Sequence, residues 1–200
     1  MSGSQRSLVE TAVTIHPPSI ERNGGCTRVQ CRVDGFHQDC IWFKIEPDPG
    51  ISSVEQIADA FVLPGILGTV ACGRDVTFGF AVSEMLLLNL RAAILPLLLR
   101  LHPDLFPSTA TIKAEGVARE PSAAARGSAT GLSCGLDSLA TIADLLKLPV
   151  SHSRRLAATA FFDTGNHDPL PTGDTSPLFV ERTAKARFCA AEIQLPLFVV

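Results

Sequence analysis

β-Branched and aromatic residues alternate with polar ones over residues 27–33 and again over 40–46, and Asp34-Gly35 stands between the two runs. This pattern predicts a β-hairpin. After it, Ser52 or Ser53 is placed to cap a helix reaching about Leu63, with Glu55 in the first turn and Pro64-Gly65 as its stop. Residues 75–80 read as a further short strand. Ser83, followed by Glu84, opens a leucine-rich run to Leu101, and residues 109–114 read as a strand returning beside the first ones. The leucine run is interrupted by Asn89, Arg91 and Pro96 and closed by Arg100 and His102, whereas a membrane span takes about 20 predominantly apolar residues. The expectation is a buried core helix kinked at Pro96.

Residues 120–127, Glu-Pro-Ser-Ala-Ala-Ala-Arg-Gly, are small and polar and carry no hydrophobic period, as a linker does. Beyond them strands are predicted over 128–132, 156–163 and 197–200, with helices over 137–148 and within 176–194. That alternation implies a parallel sheet. In the later helix Phe179, Ala186, Ala190 and Ile193 are expected to face inward with Cys189, and Glu181, Arg182, Lys185, Arg187 and Glu192 to form a solvated face. The fold class is therefore α/β: an N-terminal α+β unit over residues 1–120, followed over 126–200 by the first half of a doubly wound parallel-sheet domain. Leu197-Phe198-Val199-Val200 reads as the middle of a strand, so the chain is expected to be a fragment of a longer domain.

An apolar fraction of 46% with 18% charged residues is that of a folded chain with a packed core. A net charge of −3 supplies no broad basic field and so offers no support for nonspecific binding of nucleic acid through its phosphates. Met1 to Arg6 lead into no apolar stretch of the signal-peptide kind, so a cytoplasmic location without a membrane partner is expected. The six cysteines are then expected to be free thiols. Cys26, Cys31, His37 and Cys40 lie close together but lack the paired C-x2-C spacing of zinc knuckles, and are read as strand-borne core residues.

The candidate chemistry lies between the strand ending near Leu132 and the helix that follows. Ser133-Cys134-Gly135-Leu136-Asp137-Ser138 allows a sharp turn whose uncovered amides converge with the positive end of the helix, which suits a polyanion. Ser133 and Ser138 add hydroxyl donors. Asp137 has the wrong sign for phosphate and the right one for a phosphate-bound Mg²⁺. No lysine follows the glycine, so a Walker-type loop is excluded, and no G-x-G-x-x-G is present. The bland alternative is an ordinary strand-to-helix turn with Ser133 as N-cap.

The hexapeptide resembles the S-G-G-x-D-S pyrophosphate loop of the PP-loop ATP pyrophosphatase superfamily, whose members include the synthetase domain of asparagine synthetase, GMP synthetase, 7-cyano-7-deazaguanine synthase and tRNA thiolation enzymes. Ser133, Gly135, Asp137 and Ser138 match the motif, Leu136 fills its open position, and Cys134 replaces its first glycine. The resemblance covers residues 126–200 and implies a HUP-like fold, ATP and Mg²⁺ as cofactors, and Asp137 as catalytic and metal-positioning acid. It also implies cleavage of ATP to AMP and pyrophosphate, with transfer of AMP to the oxygen of a small molecule or tRNA base ahead of attack by a nitrogen or sulfur nucleophile. The N-terminal unit would handle substrate or partner. The next strand-to-helix connection, Asp163-Thr164-Gly165-Asn166-His167-Asp168, adds Asp163, His167 and Asp168 as possible site residues at the carboxyl edge of the sheet. A sulfur-carrying role for Cys134 or Cys189 would require an exposed thiol of low pKa. The rival function is a noncatalytic module that binds nucleotide without cleaving it.

Overall fold

The structure is a computed structural model that describes residues 12–51, 53–106, 110–118, 127–152, 154–163 and 176–200. The fold is mixed α/β, with parallel strand pairs in both of its sheets. Two compact units are present. The first comprises Met1–Glu21, Arg28–Phe43 and Gly50–Glu120; the second comprises Pro121–Val200 together with the short segments Arg22–Thr27 and Lys44–Pro49.

In the first sheet, β1 (Ala12–Ile15), β2 (Ser19–Asn23), β3 (Cys26–Asp34), β5 (Asp75–Ser83) and β6 (Ile112–Ala118) are ordered β2-β3-β1-β5-β6, and β4 (Cys40–Ile45) pairs with β3 as the hairpin pattern requires. β1 runs antiparallel to β3 and parallel to β5, which is in turn parallel to β6. Val13 lies opposite Val76, and Ile15 lies opposite both Phe78 and Val33. The period of two therefore collects these buried side chains on one face. Helix α1 (Val62–Ala71) packs on that face, with Val62, Ile66 and Val70 buried. Contact is so close at Gly65 that a Cβ there would stand 2.1 Å from Ile15 Cδ1.

The helix expected from Ser52 or Ser53 to Leu63 is not one helix. Val54–Gln56 and Ala58–Phe61 are 3₁₀ turns, Ser53 makes no side-chain cap, and α1 begins where the prediction ended. Pro64 falls in the first turn of α1, where a backbone N–H has no intrahelical acceptor to lose, so the Pro-Gly pair sits inside the helix instead of stopping it.

The leucine run also departs from expectation. Ser83 does cap α2 (Glu84–Asn89), but a π-helical stretch, Leu90–Ile94, intervenes before α3 (Leu95–Leu101). Proline lacks the N–H for an i→i−4 bond and its ring crowds the carbonyl four residues back, so the wider turn just ahead of Pro96 accommodates what a kink was expected to absorb. Only Leu87 and Leu90 are buried, and Met85, Leu88, Leu97 and Leu101 are exposed. The run is a surface element with one anchored side, not a buried core helix. No helix among the described residues is long and apolar enough to cross a membrane.

The second sheet consists of β7 (Ser128–Gly131), β8 (Leu156–Phe161) and β9 (Leu197–Val199), in the order β7-β8-β9 and all parallel. Helix α4 (Leu136–Leu146) connects the first two and α5 (Pro177–Glu192) lies between the second and third. Leu132, Ile142, Leu156, Phe161, Ala186 and Ala190 form its core, against which Phe179, Cys189 and Ile193 pack partly buried. Arg155 closes the far end of α4 by donating Nη1–H bonds to the carbonyls of Leu146, at 3.0 Å, and Leu148. A cation there also opposes the negative end of the helix dipole. Within this unit Glu46 pairs antiparallel with Val199, exchanging backbone bonds of 2.9 and 2.7 Å.

All six cysteines are free. Cys31 is fully buried in β3, and burial, assisted by Cys40, pushes its thiol up to about 12. Among the described residues no group of three or more His, Cys, Asp or Glu side chains could hold a metal ion.

Candidate functional site

Four residues, 132–135, carry the chain from β7 into α4. Leu132 anchors the turn: its side chain is buried in the core and its N–H donates to Ala160 O at 2.8 Å, tying the loop to the end of β8. Cys134 then adopts φ +58°, in the left-handed region where a side chain is strained and glycine is not. This is the position at which the resembled motif carries its first glycine. Gly135 returns to extended geometry (φ −83°, ψ 164°) as N-cap of α4 and places no side chain over the helix end.

The conformation at Cys134 is tolerated because its side chain finds a place. The thiol packs against the core cluster, and it is pushed up to about 11, first by burial and then by a hydrogen bond with Cys189, with Lys185 opposing the shift. A thiol held protonated in this way lacks the thiolate character that a sulfur carrier requires.

Ser133 and Ser138 meet across the turn, with Ser133 Oγ donating to Ser138 Oγ at 3.2 Å. Ser133 Oγ also accepts from the Gly135 N–H at 3.4 Å, and Ser138 Oγ donates to Gly135 O at 2.9 Å. Both hydroxyls are thereby held on the mouth of α4. The N-cap itself is Gly135 and not Ser133, so the plain capping turn is not the arrangement the chain adopts. The first-turn amides of Leu136, Asp137 and Ser138 have no acceptor within the helix, and no side chain caps them. Aligned donors of this kind, at the positive end of an 11-residue helix, favour an anion.

Leu136 is 84% exposed, which no packing role explains. Asp137 is exposed beside it; its backbone carbonyl accepts from Thr141 Oγ1 at 2.9 Å, and its carboxylate takes no hydrogen bond or ion pair from the described residues. Were phosphate held at these amides, one carboxylate would fit Mg²⁺, which is held through one or two protein oxygens plus phosphate oxygens and not by an all-protein cage.

Beside the loop, at the carboxyl ends of β7 and β8, lies a cleft of about 320 Å³. Gly131 and Ser133 line one side, Ala160, Phe161 and Phe162 the other, and Arg182 of α5 completes it. In a parallel α/β sheet this carboxyl edge is where ligands bind. Arg182 and Phe162 were not singled out by sequence reasoning, which placed Arg182 on a solvated helix face. The available signal was positional: Phe162 lies at the carboxyl end of a predicted strand, and Arg182 lies in the opening turns of the next helix.

Asp163 stands two residues beyond β8, where its N–H donates to Val200 O at 2.7 Å. It is not among the described residues lining the cleft. His167 and Asp168 lie outside the described residues. The structure therefore brings Ser133, Cys134, Gly135, Leu136, Asp137 and Ser138 together in one turn and leaves Asp163 on the same sheet edge.

The chain matches no protein-family model, no curated protein and no solved structure.

Proposed function

We propose that the second unit is a PP-loop ATP-binding domain of HUP-like, doubly wound type that cleaves ATP to AMP and pyrophosphate. The observation that carries this reading is the left-handed backbone at Cys134, because that conformation is one glycine adopts freely and the resembled motif has a glycine at this position. The strand-loop-helix setting and the uncapped first turn of α4 support it further.

In this mechanism the amides of residues 136–138 and the hydroxyls of Ser133 and Ser138 hold the β and γ phosphates. Asp137 would hold Mg²⁺, which when bound neutralises charge on those phosphates. A carbonyl or carboxylate oxygen of the substrate attacks the α phosphorus, the bond from that phosphorus to the bridging oxygen breaks, and pyrophosphate leaves with the electron pair. The adenylated substrate is then open to a nitrogen or sulfur nucleophile, and the resemblance extends that substrate class from small molecules to tRNA bases. The first unit is the candidate for recognising substrate or partner. Six free cysteines suit a cytoplasmic setting, where thiols stay reduced.

Thermal unfolding of the chain with Mg-ATP tests the site. At a concentration 100 times Kd the native state should gain about 2.7 kcal/mol. A folded chain whose melting temperature does not respond to millimolar Mg-ATP would refute the reading. Binding without ATP cleavage, in the presence of candidate acceptors, would instead support a noncatalytic nucleotide-binding module.

A further inference from the structure

We propose that the exposed side of the leucine-rich run, residues 84–101, is where a second copy of this chain docks, the two runs packing antiparallel about a two-fold axis. α2, the π-helical stretch and α3 follow one another without a break, and Leu87 and Leu90 anchor one side of them. On the unanchored side Met85, Leu88, Ala92, Ala93, Leu97 and Leu101 are all exposed. Singly exposed leucines are ordinary on a protein surface, whereas a contiguous apolar stretch of this kind marks an interaction site.

The order of residues along the run favours a second copy as the occupant. Ala92 and Ala93 stand at its midpoint, and Leu88 lies as far before that point as Leu97 lies beyond it. An antiparallel pair centred there sets Leu88 of each copy opposite Leu97 of the other, while the small alanines let the two backbones approach at the crossing. Glu84 stands at one end and Arg100 near the other, so the same alignment places the acid of each copy beside the arginine of the other. Both side chains are exposed, and neither makes a hydrogen bond or ion pair among the described residues. Antiparallel pairing also sets opposed helix dipoles side by side. A parallel pair would instead bring Glu84 against Glu84 and Arg100 against Arg100. A lipid surface is the poorer occupant, because helices that lie on membranes carry a polar face rich in lysine and arginine. The polar residues of this run are Glu84, Asn89, Arg91 and Arg100, and Arg91 Nη2 already donates to Ile112 O at 3.3 Å.

Sedimentation equilibrium of the full chain over a range of concentrations tests this, and a monomer–dimer equilibrium is expected. Leu97→Glu, at an exposed position, should still give a folded chain and raise the dimer Kd by about a hundredfold or more, since it sets a charge in the contact twice. Leu88→Gln, with an expected loss of about tenfold, keeps the test open should Leu97→Glu fail to fold. Glu84→Arg and Arg100→Glu should each raise Kd by about tenfold, and the double variant should restore it to within about threefold, because only an antiparallel contact turns both repulsions back into attractions. A chain that stays monomeric even at millimolar concentration, a dimer indifferent to the leucine variants, or charge reversals that do not rescue each other would each overturn the proposal. So would a monomer that floats with vesicles of phosphatidylcholine and phosphatidylglycerol, which would assign the leucines to a membrane surface.

Discussion

Among the described residues two turns lead from a parallel strand into a helix, and they finish the N-terminal ends of their helices in opposite ways. At the end of β5, Ser83 turns its hydroxyl back to accept from the Leu86 N–H at 3.4 Å, while its own N–H donates to Asp59 Oδ1 at 3.0 Å. The helix mouth is closed by groups of the chain itself. At the end of β7, Gly135 supplies no cap, the left-handed Cys134 swings the chain away from the first-turn amides, and two serines bond each other across the mouth. A side-chain cap in place of Gly135 would stabilise α4 by only about a few tenths of a kcal/mol, and its omission leaves donors exposed that an anion can use. A serine before a helix is thus a structural cap in one turn and, in the proposed function, part of a binding surface in the other.

The largest expected effect comes from Asp137→Asn. Removing the one carboxylate at the open turn should lower Mg²⁺-dependent release of pyrophosphate from ATP by orders of magnitude while the loop amides still bind nucleotide. Retained turnover would erase the difference between the two turns. Next, Ser138→Ala should raise the Kd for Mg-ATP by roughly tenfold or more, through loss of one hydrogen bond to a charged group, and hardly change the melting temperature. Ser83→Ala should do the reverse: unfolding in urea should show a loss of about 0.5 to 1 kcal/mol, with Mg-ATP affinity untouched. If Ser83→Ala weakened nucleotide binding, the division of roles would fail. The smallest effect is expected for Cys134→Gly, which relieves a left-handed side chain but gives up the packing of its thiol. It should leave stability unchanged or raise it by up to about 1 kcal/mol, with Mg-ATP affinity at least preserved. A clear destabilisation would mean that the thiol's packing, not the backbone geometry, holds the loop.

The contrast between the turns was only half legible in the sequence. The open turn could be read because its chemistry lies in six contiguous residues, and a short hydroxyl-glycine-acid string between a strand and a helix announces an anion site locally. The strands and helices of residues 128–200 were readable for a similar reason, since apolar runs and turn residues alternate there without interruption. Arg182 and Phe162 were not, because their nearness to Ser133 is created by strand pairing and by the return of α5, not by spacing along the chain. The backbone at Cys134 was hidden as well, since a cysteine gives no sign of a left-handed conformation. Around Pro64 the sequence misled, because a proline tolerated in the first turn of a helix looks the same as one that ends it.

The π turn at Leu90–Ile94 also acts as an angular selector. In an uninterrupted α-helix at about 100° per residue, Leu97 and Leu101 would fall within about 20° of the direction of Leu90 and share its stripe. One additional residue in a turn rotates everything after it by about 100°, carrying those two leucines away and bringing Leu98 round in their place. The exposures follow this rotation. Leu90 is 0% exposed, Leu97 and Leu101 are 54% and 59% exposed, and Leu98 is half-buried. In a run where half of the positions are leucine, composition leaves the inward face undetermined, and a single widened turn decides which leucines become the anchor and which face water.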